Sequence, residues 1–171
     1  MNTIVFKKSI GEFIDERALF PSLSWTAGTP ADNTALIGTA IDRQGFATGS
    51  LPSTLDAVVF YDATLAQGQT LSLSWDLQDS ADGVNFSDFA TEAAVVVATG
   101  PAGGGRLVGV ARLAISDGNK PAGTPGIDLG PARRYVRLNV VPHLSRTGTD
   151  TAVIAGVGVF AGWDQLAAPQ T

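Results

Sequence analysis

In the run QTLSLSWDLQDS, residues 69–80, Leu71, Leu73, Trp75 and Leu77 alternate with Ser72, Ser74, Asp76 and Gln78. A period of two sends apolar side chains to one face of an extended strand and polar ones to the other, and no helix sorts residues this way. From Phe46 onward such runs keep returning. RLVGVARLAI (106–115) and RRYVRLNVV (133–141) alternate again. TAVIAGVGVFAG (151–162) sets Val153, Ala155, Val157 and Val159 against Ile154, Gly156, Gly158 and Phe160, where the glycines invite close backbone approach from a neighbour. DAVVFYDA (56–63) and EAAVVVAT (92–99) are near-continuous apolar runs that suit strands covered on both faces, with a buried helix as the alternative for the alanine-rich second one. Between the runs lie SADGVN, GPAGGG, SDGNKPAGTPG and PHLSRTGTD, each carrying residues that accept positive φ or preset a bend. Roughly six or seven strands without crossover helices predict an all-β fold, a jelly roll or β-sandwich over residues 42–171.

Residues 1–41 read differently. Apolar side chains are frequent there, yet no period persists. The segment is expected to be an N-terminal arm: IGEFIDERALF as a short helix or extended, then PSLSWTAGTPADNTA as extended coil lying on another surface, because free coil rarely carries Trp and Phe. Ile4, Phe6, Phe13, Phe20 and Trp25 are its candidate partner-binding residues. That surface is either a neighbouring molecule or the chain's own sandwich.

Charged residues make up 16% of the 171 and hydrophobic ones 44%, so much of the exterior is finished with Ala, Gly, Ser and Thr. Solvated surfaces normally carry more charge, which points to a homo-oligomer or an assembled particle. A net charge of −5 argues against phosphate-backbone binding, so nucleic acid is not expected as a partner. No apolar stretch approaches the roughly 18 residues that span a bilayer, and Lys7 and Lys8 follow rather than precede the first apolar run, so neither a membrane span nor a secretory signal is expected. The absence of cysteine removes disulfides, thiolate metal sites and a cysteine nucleophile.

Catalytic chemistry finds no pattern. His143, the only histidine, follows Pro142 in a stretch read as loop, and no nucleophile elbow accompanies it. Asp56, Asp62, Asp76, Asp79, Asp82 and Asp88 could supply a carboxylate pair, but they sit around a turn or flank a strand. Asp79–Asp88 fails the EF-hand spacing because Ala81 takes a ligand position; a different calcium loop through Asp79, Asp82, Asn85 and Asp88 stays open, while Asp82-Gly83 reads more simply as a hairpin turn. GPAGGGR lacks the Lys-Ser/Thr of a phosphate loop. Arg133, Arg134 and Arg137 divide between strand faces, which favours an intersubunit ion pair over a nucleic-acid patch. No catalytic residue, cofactor or metal is expected.

LSLSWDLQDSADGVNFSDF, followed by GIDLGPARRYVRLNVV and VIAGVGVFAGWDQLAAP, resembles a layout of small tailed-bacteriophage virion proteins, the jelly-roll decoration or cement proteins of the capsid. The resemblance spans about residues 40–169 and consists mainly of strand and turn signatures. It implies a viral structural protein, commonly a homotrimer, that lies on the outer surface of the virion and stabilises the shell by binding the major capsid protein. A tail, connector or fibre component is the alternative within that class. Outside it, Ser80–Phe86 is also similar to turns of carbohydrate-binding sandwiches, for which Trp25, Trp163 and His143 would be the groups free to stack on a sugar.

Overall fold

The computed structural model describes residues 14–46, 51–113, 126–145 and 148–163. In chain order its strands are β1 (Ile14–Thr26), β2 (Ile41–Asp42), β3 (Pro52–Leu65), β4 (Thr70–Ser80), β5 (Ser87–Thr99), β6 (Gly105–Leu113), β7 (Ile127–Asp128), β8 (Tyr135–Leu144) and β9 (Thr151–Trp163). The alternation read in the sequence is what builds the core. Leu71, Leu73, Trp75 and Leu77 of β4 all point inward, opposite Leu55, Ala57, Val59, Ala63 and Leu65 of β3 in the facing sheet. Each such large side chain removed from water contributes about 1.5–3 kcal/mol.

The strands form two antiparallel sheets, ordered β1-β9-β3-β6 and β2-β8-β4-β5, with β7 pairing the start of β3. β1 pairs with β9, β2 with β8, β3 with β6 and β4 with β5, so the first half of the chain meets the second half in nested order. A long hairpin rolled around its own axis gives this wrapping, which is that of a jelly roll. Its tip is the β4–β5 turn. There Gly83 holds φ at 75° and the Asp82 carboxylate accepts the Val84 and Asn85 N–H groups at 2.9 and 2.8 Å, the hairpin chemistry expected of Asp-Gly.

Residues 14–26 are not a free arm. They form β1, which pairs with β9 along nearly its whole length, from Ile14 opposite Ala161 to Thr26 opposite Thr151. No helix forms at Ile14–Phe20, because the glycines of β9 leave room that β1 side chains fill. A Cβ on Gly156 would lie 2.3 Å from the Phe20 ring, and one on Gly158 would lie 2.7 Å from Leu19. The neighbour that fills the space at those glycines is therefore the Phe20 and Leu19 side chains and not, as expected, a backbone. Phe46 closes this end of the core against Phe160, ring centroids 5.0 Å apart.

After β2, the 3-10 turn Arg43–Gly45 is capped by Asp42, whose side chain accepts the Gln44 N–H. Arg43 is only 2% exposed and donates to the carbonyls of Ala132, Arg133 and Pro52, pinning the segment before β8 to the start of β3. A guanidinium suits that position because its planar donors satisfy several carbonyls at once. Among the described residues no helix is long and apolar enough to cross a membrane.

Candidate functional site

The outer face of the β1-β9-β3-β6 sheet carries an apolar strip. On β6, Val108 and Val110 share parity with Arg106 and Arg112, so all four point away from the core, while Leu107 and Leu113 point toward it. Val108 is 69% exposed and Val110 55%, and next to them Phe60 on β3 is 49% exposed. Strand register assembles these positions into rows: Val110 lies beside Phe60 and Phe60 beside Ala155, while Val108 and Val153 flank Asp62. A shallow hollow of about 180 Å³ lies among Phe60, Tyr61, Asp62, Val108, Val153 and Ala155. Adjacent exposed apolar side chains of this size, in rows rather than scattered, are the mark of a contact surface.

Charge on this face is neutralised locally. Arg106 grips Asp62 through two hydrogen bonds of 2.8 and 2.6 Å, and Arg112 lies 3.4 Å from Asp56. The Arg106 side chain holds the Asp62 carboxyl below its ordinary range. An apolar partner can thus cover the strip without burying an unpaired charge, whose desolvation would oppose docking.

The acidic turn is likewise engaged in structure. Burial raises Asp79, but hydrogen bonds from the Arg133 side chain and backbone N–H outweigh it and hold the carboxyl below its ordinary value. Asp82 is held low by the N–H groups of Asn85 and Val84, then by the side chains of Asn85 and Ser80. These bonds occupy oxygens that a calcium loop would need, and among the described residues no three His, Cys, Asp or Glu side chains gather as a metal site. Of the six aspartates, Asp76 and Asp88 come together on the outer face of β4–β5. Burial, then the Asp88 charge, raises the Asp76 carboxyl above its ordinary value.

His143 stands in β8 opposite Ser72, not in a loop. Pro142 is tolerated there because that side of β8 faces the irregular 27–40 segment, where the Pro142 carbonyl accepts the Asn33 N–H at 2.9 Å. His143 Nδ1 approaches the Asp32 carboxylate at 3.5 Å, and Asp32 also accepts the backbone N–H groups of Leu144 and Gly28. The three arginines find partners inside the chain: Arg133 with Asp79, Arg134 with Asp42, and Arg137 with Gln78 while stacked 4.1 Å over Phe86. These pairs are intramolecular because Asp42, Gln78 and Asp79 flank β8 in the same sheet.

Among the residues expected to bind a partner, Phe20 and Trp25 are buried in the chain's own core, 2% and 4% exposed. Pairing with β9 turns them inward, and it also removes Trp25 as a ring free to stack on a sugar. Ile4, Phe6 and Phe13 lie outside the described residues, as does the side chain of Trp163. The strip of Phe60, Val108, Val110 and Val153 was not singled out from the sequence. Its signal was present in RLVGVAR, where two arginines of one parity bracket two valines of the same parity.

No family model matches the chain, and no curated protein matches it. Among solved structures it is similar to that of infectious bursal disease virus, Gx strain, with a TM-score of 0.45 and 9% identity over 90% of this chain and 32% of that one. It is also similar to the VP2 subviral particle of that virus (TM-score 0.38, 11% identity, 86% of this chain and 32% of that one). A third similarity is to its T13 viral particle (TM-score 0.41, 13% identity, 86% and 30%). The chain spans about a third of the length of these viral chains.

Proposed function

We propose that this chain is a non-catalytic structural protein of a tailed-phage virion, a decoration or cement protein that lies on the outside of the capsid and binds the major capsid protein. The observation that carries the reading is the outward strip of Phe60, Val108, Val110 and Val153, flanked by the Arg106–Asp62 and Arg112–Asp56 pairs. Burying each of these side chains against a shell contributes up to about 1.5–3 kcal/mol, and repetition over many sites turns modest single contacts into firm attachment. The low charge content and the resemblance of the Ser80–Phe86 turn and of RYVRLNVV to cement-protein segments support the same role.

Purified particles test the assignment. A cement protein should be present in amounts comparable to the major capsid protein, whereas a small fixed copy number would indicate a connector or tail part, and absence would reject a virion role. Added back to shells lacking it, the wild-type chain should cosediment. The Val108→Asp/Val110→Asp variant should not, although its melting temperature should hold because both side chains are more than half exposed. Undiminished binding by that variant would reject the strip as the contact.

A further inference from the structure

From Trp75 to Leu77, β4 runs in step with β5, opposite Glu92, Thr91 and Ala90 in turn. One extra residue then interrupts β5. Leu77 stands opposite Ala90 and Gln78 opposite Asp88, so Phe89 has no residue across from it. A bulge of this kind re-aims the side chains beside it. Phe89 packs against the core, and Asp88, which unbroken pairing would set opposite the buried Asp79, comes instead opposite the outward-facing Gln78. Gln78 Nε2 donates to Asp88 Oδ1 at 2.8 Å. Asp76 precedes Gln78 by two positions and shares its outer face.

The bulge thus sets two carboxyls on one face of one strand seam. Asp76 Oδ1 is closed off from solvent and has no hydrogen-bond partner among the described residues. An unpaired buried oxygen is far more costly on a charged carboxylate than on a neutral carboxyl. On β8, Asp76 faces Asn139, whose Oδ1 is taken by the Gly38 N–H at 3.2 Å. The charged groups around Asp76 are Asp88 and Glu92 of β5 and Arg137 of β8. Arg137 donates to Gln78 Oε1 at 2.9 Å and stacks over Phe86, and Glu92 lies opposite Trp75. Burial first, then the Asp88 charge, accordingly favours the neutral form of Asp76.

We propose that Asp76 and Asp88 form a proton-operated clasp between β4 and β5: in mild acid one proton taken from solvent is held between the two carboxyls and closes the seam at the bulge, and its release to solvent at neutral pH leaves two negative charges side by side and eases the seam. The Gln78 amide holds Asp88 in place. One residue pair, Asp79 with Ser87, separates the clasp from the Asp82-Gly83 turn, so the state of the clasp sets how firmly that end of the hairpin is anchored. A proton bound more tightly in the closed seam than in the open one stabilises the closed form in acid, and that stabilisation is lost as pH rises. The shell contact lies on the other sheet, and this device stands without it.

NMR titration of the side-chain carboxyl carbons of the full chain, with amide exchange over the same pH range, tests this. Asp76 and Asp88 should both report one step with a common midpoint above the ordinary value of 3.8. Asp88→Asn should lower the Asp76 midpoint, and Asp76→Asn should remove that step from Asp88. Protection of the amides bonded across the Asp76–Thr91 and Leu77–Ala90 pairs, corrected for intrinsic exchange, should fall towards neutral pH in the wild type. The fall should reach about tenfold for each pH unit by which the midpoint exceeds 3.8, with protection in β3 and β9 unchanged. Asp76→Asn should abolish the fall and Asp88→Asn should reduce it. An Asp76 midpoint at or below 3.8, a midpoint that Asp88→Asn leaves unmoved, or protection at these pairs that stays flat or rises towards neutral pH would overturn the proposal.

Discussion

Phe20 of β1 lies over Gly156 of β9 in space that a side chain at 156 would occupy, so each residue is meaningful only because of the other. A Cβ at Gly156 has no room beside the Phe20 ring, so Gly156→Ala should destabilise the fold by about 1–3 kcal/mol in denaturant titrations. Phe20→Ala should cost about 3–5 kcal/mol by emptying the site, and the double variant should cost less than the sum of the two. Asp76 gives a prediction of opposite sign. Its folded pKa is raised by burial and by Asp88, so its contribution to stability is complete below the ordinary value of 3.8 and is lost as pH rises through the folded value. Asp76→Asn should therefore raise the melting temperature at neutral pH, with a gain that shrinks as the pH is lowered toward and below 3.8. Asp42, Asp79 and Asp82 work the other way: their lowered pKa values supply stability above the ordinary carboxylate value that is lost in acid. At this scale the sequence disclosed the Asp82-Gly83 turn, and it marked Gly156 as a place of close approach but by a backbone, where the Phe20 side chain stands. It did not disclose Arg43, whose burial depends on carbonyls at Pro52, Ala132 and Arg133 brought together only by the fold.

Among the elements, β4 was legible almost residue by residue, because one of its faces is apolar and the other polar. β1 was not. Its buried Leu19, Phe20 and Trp25 do not follow one period: register shifts against β9 fall between Ala18 and Phe20 and between Phe20 and Leu23, and such irregularities break the alternation that marks a strand. β5 misled in a different way. Its run of alanines and valines reads as a strand covered on both faces, yet it stands at a sheet edge with Ala93–Val96 exposed. Hydropathy alone cannot separate a strand buried by its own chain from one bare for a partner. The same ambiguity hid the strip, since Val108 and Val110 face outward while the smaller Gly109 and Ala111 face in.

For the whole molecule, composition and alternation were enough to predict a two-layer β fold, but strand order was beyond them. β1 pairs with β9, and Thr26 meets Thr151 across most of the chain, a closure that no local signal encodes. The resulting body has one sheet with a charge-neutral apolar outer strip and another that ends, among the described strands, at β5. On the proposed function such a body would act as a clamp, holding the shell with its outer strip. A reconstruction of the intact particle tests this most directly. The account predicts a jelly roll on the outer shell surface with Phe60, Val108, Val110 and Val153 seated against the capsid protein; a particle in which those side chains face solvent would contradict it.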